Sequence, residues 1–293
     1  MRRWRWIAYL GLFFGMLPAL AGCSWPGARR GARGPLDPEK AAQAKAIDDR
    51  AQAALDAGDL ATAEAELARL SALTPASPEA LQRRGAVLQL QGRAAEAEVC
   101  FLKAVELDPD FVAALTGLGR IEADSGRLES AQKRLEAAVE IEPHDPTAHL
   151  ELARVLEAVG RTDDALAAYF RALEADPFLV AAGRRIAAIQ LSRGEADQSL
   201  VRLDQTIEAV PGDVESLYLR GQAHLALGHT AQAVADLRDA AQRLPDRPDV
   251  HLALAHALAA DRRPADALKA VEAVLRLSPD DADARSLGDS LRR

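Results

Sequence analysis

Proline stands at Pro75, Pro109, Pro143, Pro177, Pro211, Pro245 and Pro279, an unbroken interval of 34 residues. Gly58, Gly92, Gly126, Gly160, Gly194 and Gly228 keep the same interval. A period of this length means one supersecondary unit copied along the chain, each copy too small to bury its own apolar face and stable only when stacked on neighbours. Aromatic residues make up only 4% of the chain, and all three tryptophans (Trp4, Trp6, Trp25) precede the periodic region. The core must therefore be built from alanine and leucine, which favour helix.

With the proline set at position 32, the units start at Ala44, Pro78, Val112, Pro146, Val180, Val214 and Pro248. Positions not used to set this register agree with it. Position 8 holds Ala51, Gly85, Gly119, Ala153, Ala187, Gly221 and Ala255, and position 20 holds Ala63, Ala97, Ala131, Ala165, Ser199, Ala233 and Ala267, all small. Position 24 is large: Leu67, Phe101, Leu135, Tyr169, Leu203, Leu237 and Val271. Positions 4, 7, 8 and 11 form one stripe of a first helix (A), and positions 20, 24 and 27 one stripe of a second (B), the spacing of amphipathic helices. Glycine at position 15 can end helix A in a left-handed conformation. Proline at position 32 stops helix B because it lacks a donor and clashes with the preceding turn. Ser77-Pro78 and Asp145-Pro146 supply a capping side chain followed by proline at the first helical position.

This pattern resembles the tetratricopeptide repeat (TPR) over about 250 residues. The resemblance implies an all-α fold: a right-handed α-solenoid of seven helix-turn-helix repeats over residues 37–281, closed by a capping helix over 282–293. Ala284, Leu287, Gly288 and Leu291 repeat positions 4, 7, 8 and 11 from Asp281, and Asp37-Pro38-Glu39 resembles the start of the first helix. Three departures stand out. Position 4 never carries the aromatic residue of the family pattern. Position 7 is Arg50, Arg84 and Arg220 in three repeats, where the aliphatic stems are expected to lie on the core with the charged heads outward. Repeat five has Gly183, Gln190, Ser199 and Thr206 at positions 4, 11, 20 and 27 and is expected to pack least well.

Ahead of the repeats, residues 1–22 read as an export signal: a basic start with Arg2, Arg3 and Arg5, an apolar run from Ile7 to Leu20, then Ala21 and Gly22. The run is shorter than the roughly 20 residues a membrane span needs. Leu20-Ala21-Gly22-Cys23 resembles the lipobox of bacterial lipoproteins, which implies cleavage before Cys23 and lipidation of its thiol. Two or more acyl chains anchor stably where one does not. Residues 23–36 are expected to be a flexible tether carrying Arg29, Arg30 and Arg33. The resemblance implies a protein exported and lipid-anchored to the bacterial membrane, with Ser24 consistent with outer-membrane sorting toward the periplasm in a host with two membranes.

The net charge is −8, which argues against a nucleic-acid partner. The six histidines, His144, His149, His224, His229, His251 and His256, include no metalloprotease motif and no i, i+4 pair, so neither a metal nor a cofactor is expected. No nucleophile elbow, P-loop or dinucleotide fingerprint is present, and no enzymatic activity is expected. Asp163-Asp164 and Asp280-Asp281 read as turn or cap residues, and Cys100, beside Phe101 in a B helix, as a small apolar side chain.

A surface remains. TPR proteins resemble one another in presenting helix A to an inner, concave wall, and the resemblance implies a wall here with Arg120, Arg154 and Arg184, then Tyr218, Gln222, Leu252 and His256. Such arginines suit a protein partner or extended peptide bearing carboxylates; otherwise they answer neighbours such as Glu122 and Glu157. Asp48, Gln52, Gln82 and Ala86 stand where a chaperone-tail clamp needs lysine and asparagine. The expected function is a membrane-anchored interaction scaffold of the bacterial cell envelope; the alternative is a groove that holds a glycan or lipid.

Overall fold

The computed structural model describes residues 37–293; the expected leader, Cys23 and the tether lie outside the described residues. Every regular element described is an α-helix, and the described residues fall into two compact units that divide after Gly126, in the A–B turn of repeat three. The first unit holds α1 (Pro38–Asp56), α2 (Leu60–Leu73), α3 (Pro78–Leu90), α4 (Ala94–Leu107) and α5 (Val112–Asp124). The second holds α6 (Leu128–Ile141), α7 (Pro146–Ala158), α8 (Thr162–Ala175), α9 (Val180–Ser192), α10 (Ala196–Ala209), α11 (Val214–Ala226), α12 (Thr230–Arg243), α13 (Pro248–Ala260), α14 (Pro264–Leu277) and α15 (Ala282–Arg292). Odd-numbered helices through α13 are the A helices and even-numbered ones the B helices. None of the described helices is long and apolar enough to cross a membrane.

The helix ends follow from local chemistry. Ser77, Asp145, Asp213 and Asp281 each accept a hydrogen bond from a first-turn amide of α3, α7, α11 and α15, replacing a donor-acceptor pair the helix cannot make for itself. Each A helix ends at a residue with positive φ: Gly58, Gly92, Gly126, Gly160, Gly194 and Gly228 lie at 73 to 82°. In repeat seven the same conformation is forced on Arg262, at 58°.

Small residues on helix A make room for the large residue at position 24. A Cβ on Gly85 would lie 2.9 Å from the Phe101 ring, and one on Gly221 would lie 2.6 Å from Leu237 Cγ. In the first unit Ile47, Ala51, Ala63, Leu67, Leu70 and Val87 form one buried cluster, and Leu81, Leu88, Phe101, Ala114, Leu118 and Ile121 another. In the second, Leu237, Val250, Leu254, Leu258, Val271 and Val274 continue the core to Ala284 of α15. Each large side chain so buried contributes about 1.5–3 kcal/mol.

The arginines at position 7 do more than turn their heads to water. Arg220 donates from Nε and Nη2 to the two carboxylate oxygens of Asp236, both at 2.8 Å, and from Nη1 to Asp204 at 2.9 Å. Arg50 bonds Glu66 at 2.8 Å, and Arg84 bonds Glu64 through two nitrogens at 2.9 and 3.0 Å. Glu66 and Asp236 are buried, so these pairs supply the partners that buried carboxylates require.

In repeat five the polar and small residues partly compensate one another. Thr206 Oγ1 occupies the space a side chain at Gly183 would fill, 2.6 Å from the position of its Cβ, and Ser199 donates to the Ala187 carbonyl at 3.0 Å. The compensation is incomplete. Gln190 Oε1 and Arg202 Nε are buried without a hydrogen-bond partner, and a cavity of about 20 Å³ opens among Leu173, Phe178, Val180, Gly183, Arg202 and Thr206. Phe178, in the turn beside it, is 74% exposed.

Candidate functional site

The expected surface residues fall at positions 5 and 9 of the A helices, one turn apart and off the stripe that enters the core. Arg120, in the first unit, donates from α5 to Gln89 Oε1 of α3. The remaining six lie in the second unit. Arg154 on α7 is half exposed and donates to Glu151 at 2.7 Å, one turn earlier in the same helix. Arg184 on α9 reaches Asp213, the N-cap of α11, at 3.3 Å. Glu157 is engaged by other groups: Tyr169 Oη donates to it at 2.9 Å and Arg185 Nε at 3.1 Å. Burial, first, and the Glu157 charge hold the Tyr169 hydroxyl in its neutral form.

Tyr218 and Gln222 come together on α11, where Gln222 Nε2 donates to the phenolic oxygen at 2.8 Å. The Arg247 guanidinium lies 5.7 Å from the Tyr218 ring centroid, a cation–π contact, and bonds Asp249 at 2.8 Å and Glu215 at 3.3 Å. Burial and the Asp249 charge push the Tyr218 hydroxyl up to about 12. Bonding from Arg247 holds the Asp249 carboxyl below the usual range. Leu252 is half-buried against the core of the last repeats, and His256 is exposed.

Two groupings escape the reading of single positions. Arg247 belongs to the B–A turn at the end of repeat six, so its approach to Tyr218 depends on turn geometry. His224 and His229 flank the A–B turn of repeat six, five residues apart, with Nδ1 atoms 3.4 Å from each other. Burial of His224 favours its neutral ring. His149 and His251 instead place Nε2 2.9 Å from the Pro143 and Pro245 carbonyls, closing the turns before their helices. Cys100 is buried, and that burial raises its pKa, as befits an apolar thiol. Asp281 caps α15, and Asp163 and Asp164 lie in the first turn of α8.

Family models described as tetratricopeptide repeat match residues 78–111, 116–179, 185–248 and 224–290. No curated protein matches the chain. Among solved structures, the APC/C hetero-tetramer Cut9–Hcn1 aligns with a TM-score of 0.67 at 16% identity, over 80% of this chain and 48% of that one. This chain therefore spans about half the length of that relative. Pseudomonas aeruginosa pilF aligns with a TM-score of 0.63 at 17% identity, over 71% of this chain and 94% of its own. YrrB, described as a TPR protein with an unusual peptide-binding site, aligns with a TM-score of 0.57 at 17% identity, over 64% of this chain and 97% of its own.

Proposed function

Because this chain belongs to the tetratricopeptide-repeat proteins, we propose that it is a non-enzymatic scaffold, held to a bacterial membrane by lipid on Cys23, that presents its A helices to a protein or extended-peptide partner in a cell-envelope assembly. The observation that carries this reading is the separation of surface from core. Arg154, Arg184, Gln222 and His256 stand outside the apolar stripe, so the apolar core does not depend on them, and the polar contacts that Arg154, Arg184 and Gln222 make at the surface are ones a ligand could exchange for its own. YrrB, a protein of the same fold, has a peptide-binding site. The lipid anchor rests on Leu20-Ala21-Gly22-Cys23 following the apolar run of the leader. The envelope setting rests on that export signal.

The proposed contacts are tested within the second unit by replacing Arg154 and Arg184 together with glutamine and titrating a partner captured by the membrane-anchored protein. Exposed ion pairs contribute roughly 0–1 kcal/mol to stability, whereas hydrogen bonds to charged groups contribute about 1.5–3 kcal/mol each. Binding should weaken while helical circular dichroism and melting temperature barely move. A control pair at Arg161 and Arg193, in A–B turns of the same unit, should bind as wild type; equal loss in both pairs would refute these contacts.

A further inference from the structure

The A–B turns close with one recurring hydrogen bond, from the amide at position 16 to the carbonyl at position 11. It joins Asp59 to Ala54, Arg93 to Leu88, Arg161 to Leu156, Glu195 to Gln190, His229 to His224 and Arg263 to Leu258, all at 2.8–2.9 Å. The bond fixes the two backbones relative to each other and leaves the side chains their rotamer freedom. In repeats two, four and seven position 11 is a buried leucine, Leu88, Leu156 or Leu258, whereas repeat six places the His224 imidazole there. His229, at position 16, is also the N-cap residue of α12.

The resulting geometry is specific. The ring centroids lie 5.6 Å apart with planes inclined by 53°, and Nδ1 faces Nδ1 across 3.4 Å. In a tetrahedral site with metal–nitrogen bonds of about 2.0–2.1 Å, two ligand nitrogens stand about 3.3–3.4 Å apart. The two nitrogens thus already stand at the separation of a bidentate ligand, and the ring that donates the hydrogen bond would shift its proton from Nδ1 to Nε2 for both to hold one ion. Behind His224, its Nε2 lies 4.0 Å from Asp236 Oδ2, and that carboxylate is held in place by Arg220. At that distance the carboxylate does not hydrogen-bond the ring and acts only as a nearby negative charge. Asp204 and Asp236 both bond Arg220, so two carboxylates and one guanidinium stand beside His224. His229 is exposed, which gives an ion access from solvent.

We infer that His224 and His229 form a two-imidazole site for a divalent transition-metal ion of the zinc class, its other positions taken by water or by a donor from a bound partner. Nitrogen ligands of this type suit zinc, copper and nickel over magnesium or calcium. No group of three potential ligands stands together among the described residues, so the chain supplies two donors here and the remaining positions would have to come from water or a partner.

The test uses the folded mature protein and zinc chloride alone. In histidine side-chain NMR, zinc should shift the imidazole signals of His224 and His229 and leave those of His149, His251 and His256 in place. By calorimetry, His229→Gln should weaken zinc binding by at least the roughly 10–100-fold that loss of an outer-shell partner alone costs. His149→Gln should bind as wild type. His229 is exposed, so its variant keeps the fold, checked by circular dichroism. Unchanged binding in His229→Gln, equal shifts at all histidines, or no zinc-dependent shift at His224 would each overturn the site and leave only a hydrogen bond between two rings.

Discussion

The ring of Phe101 in α4 occupies the space that a side chain at Gly117 in α5 would need: a Cβ there would stand 2.7 Å from Phe101 Cζ. Gly85 bounds the same ring from α3. Gly117→Ala gains about 1 kcal/mol of helix propensity but forces an overpacked contact that costs typically 1–3 kcal/mol. The net expectation is a loss of up to about 2 kcal/mol by chemical denaturation. Phe101→Leu, which copies Leu67, Leu135, Leu203 and Leu237 of other repeats, should relieve it, so the double mutant should be more stable than the sum of the single effects allows.

Arg220 and Asp236 should behave as one unit. Asp236→Ala leaves the guanidinium with Asp204 alone and should cost about 1.5–3 kcal/mol, the range for hydrogen bonds to charged groups. Adding Arg220→Leu reproduces the Leu152/Ala168 and Leu254/Ala270 pairs of repeats four and seven and should restore stability to within about 1 kcal/mol of wild type. A double mutant no more stable than Asp236→Ala would contradict the pairing.

Arg262 holds a left-handed conformation that glycine adopts in the other turns. A non-glycine residue there costs roughly 1–2 kcal/mol, so Arg262→Gly should raise stability by about 1 kcal/mol after the larger entropy of glycine in the unfolded chain is deducted. An unchanged or lower denaturation midpoint would show that the Arg262 side chain stabilises the turn by other means.

Repeat five should open before its neighbour. The cavity beside Gly183 and the unpartnered Gln190 Oε1 lower its local stability, and a stacked array opens at its weakest coupling. Amides of residues 180–211 should exchange faster than those of 146–177. Equal or slower exchange would mean that the Thr206–Gly183 and Ser199–Ala187 contacts suffice.

Cys23→Ser should yield protein without lipid, soluble or retained as precursor, because the thioether needs sulfur. Mass spectrometry of the wild type and membrane fractionation of both forms decide it. A wild type without lipid mass, or a serine variant that still fractionates with membrane, removes the anchor from the proposed function.

The fold was legible because its determinants recur. Small residues at positions 8 and 20 and large ones at 24 read the same way seven times, and a period averages out local ambiguity. The charged pairs were less so, although carboxylates at position 23 accompany arginine at position 7 in repeats one and six, Arg50 with Glu66 and Arg220 with Asp236. Tyr218 and Gln222 share a helix face by i, i+4 spacing, which a sequence displays. Arg247 over Tyr218 is set by a B–A turn, and His224 against His229 by an A–B turn that brings i and i+5 together. Helical spacing rules separate such residues; a rule written for the closed turn would have joined them.

The turn-closing bond between positions 11 and 16 makes the tips of the repeats that carry it interchangeable sockets. Two substitutions, at Leu88 and Arg93 or at Leu156 and Arg161, would install a chosen pair of functional groups at the tip without redesign of the backbone, limited chiefly by the cost of burying a polar group where leucine sits. New chemistry can then be gained, lost or relocated from one turn to another while the stacked core of each unit stays the same.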